Sequence, residues 1–72
     1  MQVITLKLKQ KNDFKYQIKN GAKVLNDIVK VSDGWHSACR LHETLDLAVE
    51  YARNSLEEAY CAFGKEIKVV IS

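Results

Sequence analysis

The sequence contains no proline, and its three glycines are scattered at positions 21, 34 and 64. Proline-rich and low-complexity runs are absent, and 47% of residues are hydrophobic against 28% charged, which excludes a disordered chain. Each glycine sits where a turn or a helix end needs one, so none reads as part of a phosphate-cradling loop. Long apolar runs are also missing. The opening "MQVITLKLK" is too short and too polar for a signal peptide, and nothing later approaches a membrane span. The expected location is therefore the cytoplasm. Cysteine is scarce: Cys39 and Cys61 are expected as two reduced thiols, not a disulfide.

What remains is one small domain, 1–72, of the kind that gains stability from a disulfide, a metal or a second subunit. Its net charge is +2 and unevenly placed. Residues 1–31 carry seven lysines against Asp13 and Asp27, a local +5; residues 32–72 carry four basic residues against seven acids, a local −3. A basic front half points to an anionic partner.

Period-two alternation marks strands at 2–9 (Ile4, Leu6, Leu8 inward) and 14–19 (Phe14, Tyr16, Ile18 inward). A five-residue loop pairs Leu8 with Phe14, Leu6 with Tyr16 and Ile4 with Ile18. Asn20-Gly21 is a hairpin signal; a three-residue loop pairs Ile18 with Val24 and Phe14 with Ile28 in the strand 23–31, with a bulge near Asn26-Asp27. Asp33-Gly34 folds that strand onto 35–41, setting Cys39 opposite Ile28 and Leu41 opposite Asn26. Residues 44–63 form the helix. Leu45, Ala48, Val49, Ala52, Leu56, Ala59, Tyr60 and Phe63 make its apolar stripe, with Thr44 as N-cap and Gly64 as terminator. The last strand, 66–71, pairs either antiparallel beside the first or parallel beside the fourth. The predicted class is α+β: a mainly antiparallel four- or five-stranded sheet, ordered β-β-β-β-α-β, with one long helix on one face.

The stretch "GWHSACRLHE" (34–43) holds two histidines, a cysteine and a glutamate. As a strand, it sends Cys39 to the core and His36, Arg40 and His42 to the other side, so the thiol and the imidazoles cannot share an ion. As a helical turn it would gather His36, Cys39 and Glu43, still short of a fourth ligand. No C-x-x-C or H-x-x-x-H pair supports a metal. A buried Cys39 lacks the exposed, electropositive setting of a nucleophile, and so short a chain has little room for a cleft. No catalysis, metal, cofactor or small-molecule substrate is expected.

The informative surface is the open sheet face. Lys7 and Lys15 fall side by side in this register, as do Lys19 and Lys23, with Gln17 between and Leu25, Val29, Val31, His36, Arg40 and His42 further across. The expectation is a non-catalytic binding or accessory module acting through Lys7, Lys15, Gln17, Lys19, Lys23, His36, Arg40 and His42 on a protein partner or a second copy. The alternative is a nucleic-acid binder using the lysines, against which stands the lack of outward aromatics. A solvated face whose lysines deter edge aggregation is the plainest reading.

Overall fold

Strands form where apolar and polar residues alternate: β1 (Gln2–Asn12), β2 (Lys15–Asn20), β3 (Lys23–Val31), β4 (Gly34–Ser37), β5 (Arg40–His42) and, after the helix α1 (Leu45–Tyr60), β6 (Ile67–Ile71). The computed structural model describes residues 2–37 and 40–72. The fold is α+β, with six strands ordered β5-β4-β3-β2-β1-β6. All neighbours are antiparallel except β1 and β6, which run parallel. The helix lies close to β6 at one border and to β3, β4 and β5 at the other, so the sheet curls around it.

The core is Leu6, Ile18, Ile28 and Val69 from the sheet with Ala48 and Ala52 from the helix, all essentially water-free. Burying each large side chain contributes about 1.5–3 kcal/mol. Alanines at the contact let the helix approach the sheet, while Leu45, Val49, Leu56 and Tyr60 pack around them. Thr44 caps the helix as expected: its Oγ1 accepts the Leu47 N–H at 3.2 Å. The helix is shorter than its apolar stripe suggests. It closes at Tyr60, and Phe63 is 90% exposed.

Several registers differ from the expected ones. The β1–β2 loop is Asp13-Phe14 alone, because the Asn12 side chain accepts the Phe14 N–H at 2.8 Å and nucleates a tight turn. Leu8 therefore pairs with Ile18, not Phe14, and Phe14 is 63% exposed at the turn. The shift is four residues, an even number, so every side chain keeps its face. At the next hairpin Gly21-Ala22 is the turn, Asn20 pairs with Lys23, and the bulge falls at Leu25, not at Asn26-Asp27. Leu25 packs against the core instead of joining the open face. Opposite Ile28 stands Ser37, buried and hydrogen-bonded to Asn26 at 3.2 Å. The expected occupant, Cys39, lies outside the described residues.

The largest difference is at 35–41. The predicted single strand is two, β4 and β5, folded back so that Ser37 pairs with Arg40, His36 with Leu41 and Trp35 with His42. This extra reversal changes the direction of everything after it. The helix then descends and β6 rises parallel to β1, where a single strand would have delivered it antiparallel.

The outer side of β6 faces the helix. Gln2 N–H donates to the Glu66 carbonyl at 3.1 Å, Ser72 N–H to the Leu6 carbonyl at 3.0 Å, and Leu8 N–H to the Ser72 carbonyl at 3.0 Å. Alternate residues thus bond to β1, and Ile67, Val69 and Ile71 turn their amides and carbonyls outward. Helix side chains meet two of them. Glu57 Oε2 accepts the Val69 N–H at 3.0 Å, Arg53 Nη1 donates to the Val69 carbonyl at 3.3 Å, and the Cys61 thiol donates to the Ile67 carbonyl at 3.3 Å. These residues are four apart, one above another on the helix. Arg53 also pairs with Glu57 at 2.9 Å and Glu50 at 3.0 Å. The Val69 amide, followed by Arg53, holds the Glu57 carboxyl below its ordinary pKa.

Two expected outcomes test this account. A Cβ at Gly34 would collide with the His42 carbonyl oxygen, at φ +149°. Gly34→Ala should therefore cost about 2–4 kcal/mol in urea denaturation. At Gly21, φ +60° with nothing within 4 Å, the same change should cost only about 1–2 kcal/mol. Equal losses would contradict the clash. Because the Glu57 pKa is lowered on folding, its contribution is complete above the unfolded pKa and disappears as pH falls through the folded one. Wild type and Glu57→Gln should thus differ in stability near neutrality and converge on acidification. Parallel stability–pH curves would show that the carboxylate charge plays no part.

Candidate functional site

The face of the sheet turned away from the helix is built by the residues that alternate with the core. Cross-strand partners share a face, so the pairings read out its rows. Leu41, His36, Val29 and Lys15 run straight across β5, β4, β3 and β2. Asp27, Gln17 and Lys9 form a second row, and Val24, Lys19 and Lys7 a third. Parallel pairing of β6 extends the face with Lys68 beside Val3 and Val70 beside Thr5. No element among the described residues covers it.

Of the residues expected here, Lys7, Lys15, Gln17, Lys19 and His36 are brought together. Their neighbours differ: Lys7 stands opposite Lys19, not Lys15, and Lys19 opposite Val24, not Lys23. Lys23, opposite Asn20, falls in the other phase. Arg40 and His42 are on the helix side. The Arg40 guanidinium lies 5.5 Å from the Tyr51 ring centre and the His42 ring 4.9 Å from it. His42 Nε2 is buried there without a hydrogen-bond partner among the described residues. The extra reversal at 37–40 is the reason, since it inverts the side-chain phase after Ser37.

Lys9 and Lys68 belong to the face although neither was singled out. Lys9 shares the phase of Lys7 in plain alternation. Lys68 joins only through the placement of β6 beside β1, which no local pattern carries.

Chemically the surface is basic and partly apolar. Lys7, Lys9, Lys15, Lys19 and Lys68 surround exposed Val3 (56%), Val24 (40%), Val29 (37%), Val31 (41%), Leu41 (49%) and Val70 (37%). Asp27 is the one acid in these rows among the described residues, and Gln17 Nε2 donates to it at 3.1 Å. Lys7 and Lys19 directly opposite each other repel. Phenylalanine, tyrosine and tryptophan lie elsewhere. Tyr16 and Trp35 meet edge-to-face at 5.6 Å on the helix side, with the Lys30 ammonium 5.8 Å from the Trp35 ring centre. Phe14 lines a shallow hollow of about 310 Å³ with Lys30, Val31 and Ser32.

Among the described residues no group of three His, Cys, Asp or Glu side chains is placed to hold a metal ion, and no helix is long and apolar enough to cross a membrane. Comparison with protein-family models, curated proteins and solved structures returns no match, so a functional reading has to come from this surface.

Proposed function

We propose that this chain is a small binding module, without catalytic activity of its own, whose open sheet face docks on an acidic, partly apolar surface of a protein partner. One observation carries the reading: five lysines and six exposed aliphatic side chains share a face that no described element covers, and the one acid in its rows among the described residues is already hydrogen-bonded. Like charges directly opposite destabilise a sheet, and a self-contained domain has no need of that arrangement. A partner with carboxylates would relieve it, and the aliphatic groups would supply the desolvated centre typical of protein interfaces. A second copy docked on this face would set lysine against lysine, which disfavours the homodimer. Nucleic acid is disfavoured by composition: the rows contain no arginine, and no phenylalanine, tyrosine or tryptophan ring for stacking.

The test is a nuclear magnetic resonance titration of the labelled protein with a blocked peptide rich in glutamate and valine, and separately with oligothymidylate. The expected result is peptide-induced shifts at Lys7, Lys19, Val29 and Leu41. Lys19→Glu should weaken the peptide about tenfold while raising stability by about 0.2–1 kcal/mol through relief of the Lys7 pair. Leu41→Gln should weaken it as well. Oligothymidylate binding tighter than the peptide, indifferent to Leu41→Gln and with a log–log salt slope of about −0.7 per lysine engaged, would replace the reading with the nucleic-acid one. Shifts confined to other surfaces would sink both.

A further inference from the structure

The sheet and the helix that covers it form two layers, so the domain has two broad surfaces pointing in opposite directions: the open side of the sheet and the outer side of α1. The outer side of α1 is made by residues that its apolar stripe leaves over. Leu47, Glu50, Asn54 and Glu58 follow one another at spacings of three and four and stand in one row. All four are exposed, Leu47 by 53%, and Asp46 is exposed near them. Residues 43–60 hold five acids, and Arg53 is their one base. That base is already committed: it pairs with Glu50 at 3.0 Å and Glu57 at 2.9 Å and donates to the Val69 carbonyl. The helix layer is therefore acidic with an exposed leucine, and the sheet layer is basic with exposed aliphatic groups. The net charge of +2 conceals this division.

We infer that the acidic, partly apolar partner of the open face is the outer side of α1 in a second copy of this chain. The inference rests on the reading of the open face as a binding surface and names its partner. Charge complementarity selects the occupant. Sheet face against sheet face sets lysine against lysine, and helix against helix sets acid against acid. Sheet against helix brings opposite charges together and seats Leu47 among the aliphatic groups. Such a contact is heterologous: the copy that gives its helix keeps its own sheet face free, and a further copy can dock there. Because the two surfaces point in opposite directions, the copies stack, and association grows with concentration instead of stopping at a dimer. Area limits its strength. A helix of 16 residues is about 24 Å long, and the curled sheet offers it a convex surface, so the contact is a strip. Interfaces this small are weak and transient, and exposed charges make this one sensitive to salt.

The experiment follows the labelled full chain by translational diffusion and chemical shifts from micromolar to millimolar concentration. It is run at low salt and in about 1 M sodium chloride, where the Debye length falls to about 3 Å. The expected result at low salt is diffusion that slows with concentration while both surfaces shift together, Lys7, Lys19 and Val29 on the sheet with Leu47, Glu50 and Glu58 on the helix. High salt should weaken the association about tenfold or more. Lys19→Glu and Glu58→Lys damage one surface each, and each should weaken self-association about tenfold. Glu58→Lys puts a cation near the helix C-terminus, where the dipole favours it, and should leave the circular dichroism spectrum unchanged. Mixed in equal amounts, the two variants should associate again, because each carries intact the surface that the other has lost. Either variant associating as strongly as wild type would overturn the proposal, since one surface would then be pairing with itself. Shifts confined to one surface, or a wild type that stays monomeric at millimolar concentration, would do the same. Should a variant misfold, the wild-type shift map decides. The glutamate–valine peptide separates this proposal from the reading beneath it. Peptide binding to the open face of a chain that does not self-associate would refute the second copy and leave the open-face reading intact. An open face that responds to neither would remove both.

Discussion

The outward amide of Val69 needs an acceptor, and the Glu57 carboxylate is the one it has. This bond and its companions, Arg53 to the Val69 carbonyl and Cys61 to the Ile67 carbonyl, fix the helix along β6 rather than merely above the sheet. Apolar packing alone would let a helix slide, because burial has no direction. Hydrogen bonds at four-residue intervals admit one height and one rotation. At that setting Ala48 and Ala52 face the core and Tyr51 reaches Arg40 and His42 at the far border. The helix thereby does for β6 what a seventh strand would do, using carboxylate, guanidinium and thiol in place of peptide groups.

Much of this was legible in the residues. Alternation located the strands, the Thr44 cap and the apolar stripe located the helix, and Leu6, Ile18, Ile28, Ala48 and Ala52 were readable as core. Registers were less so. Pairing Leu8 with Phe14 satisfies hydrophobic matching as well as pairing it with Ile18, and only the Asn12 side chain, by making a tight turn, separates the two. That error was harmless to the open face because it was even. The reversal after Ser37 was not. It has no glycine or Asn-Gly signal, only "SACR", and it moved Arg40 and His42 across the sheet. Lys68 was beyond reach for another reason: its neighbours on β1 are set by the path of the whole chain.

The open face and the core make opposite demands of the same strands. In β1 and β2 every second residue must be apolar to bury against the helix, which leaves the intervening positions free for lysine. Seven of the eleven basic residues fall in the first 31 positions, and those at 7, 9, 15 and 19 all lie in the outward phase. Charge is thus concentrated by strand geometry, without any local cluster in the sequence. The aliphatic residues beside it come chiefly from β3, β5 and β6, so most of the apolar part of the surface is joined to the lysines of β1 and β2 only by folding.

The partnership of β1 with β6 also sets an order of assembly. The hairpins of β1 through β5 join residues near in sequence, and their loops close at small entropic cost. The β1–β6 ladder joins the strands farthest apart in sequence, with the helix between them. Contacts of such long separation repay their closure only after much of the chain is already ordered. The meander can therefore serve as the template on which the helix and then β6 dock, and Val69, the last large residue of the core along the chain, completes it.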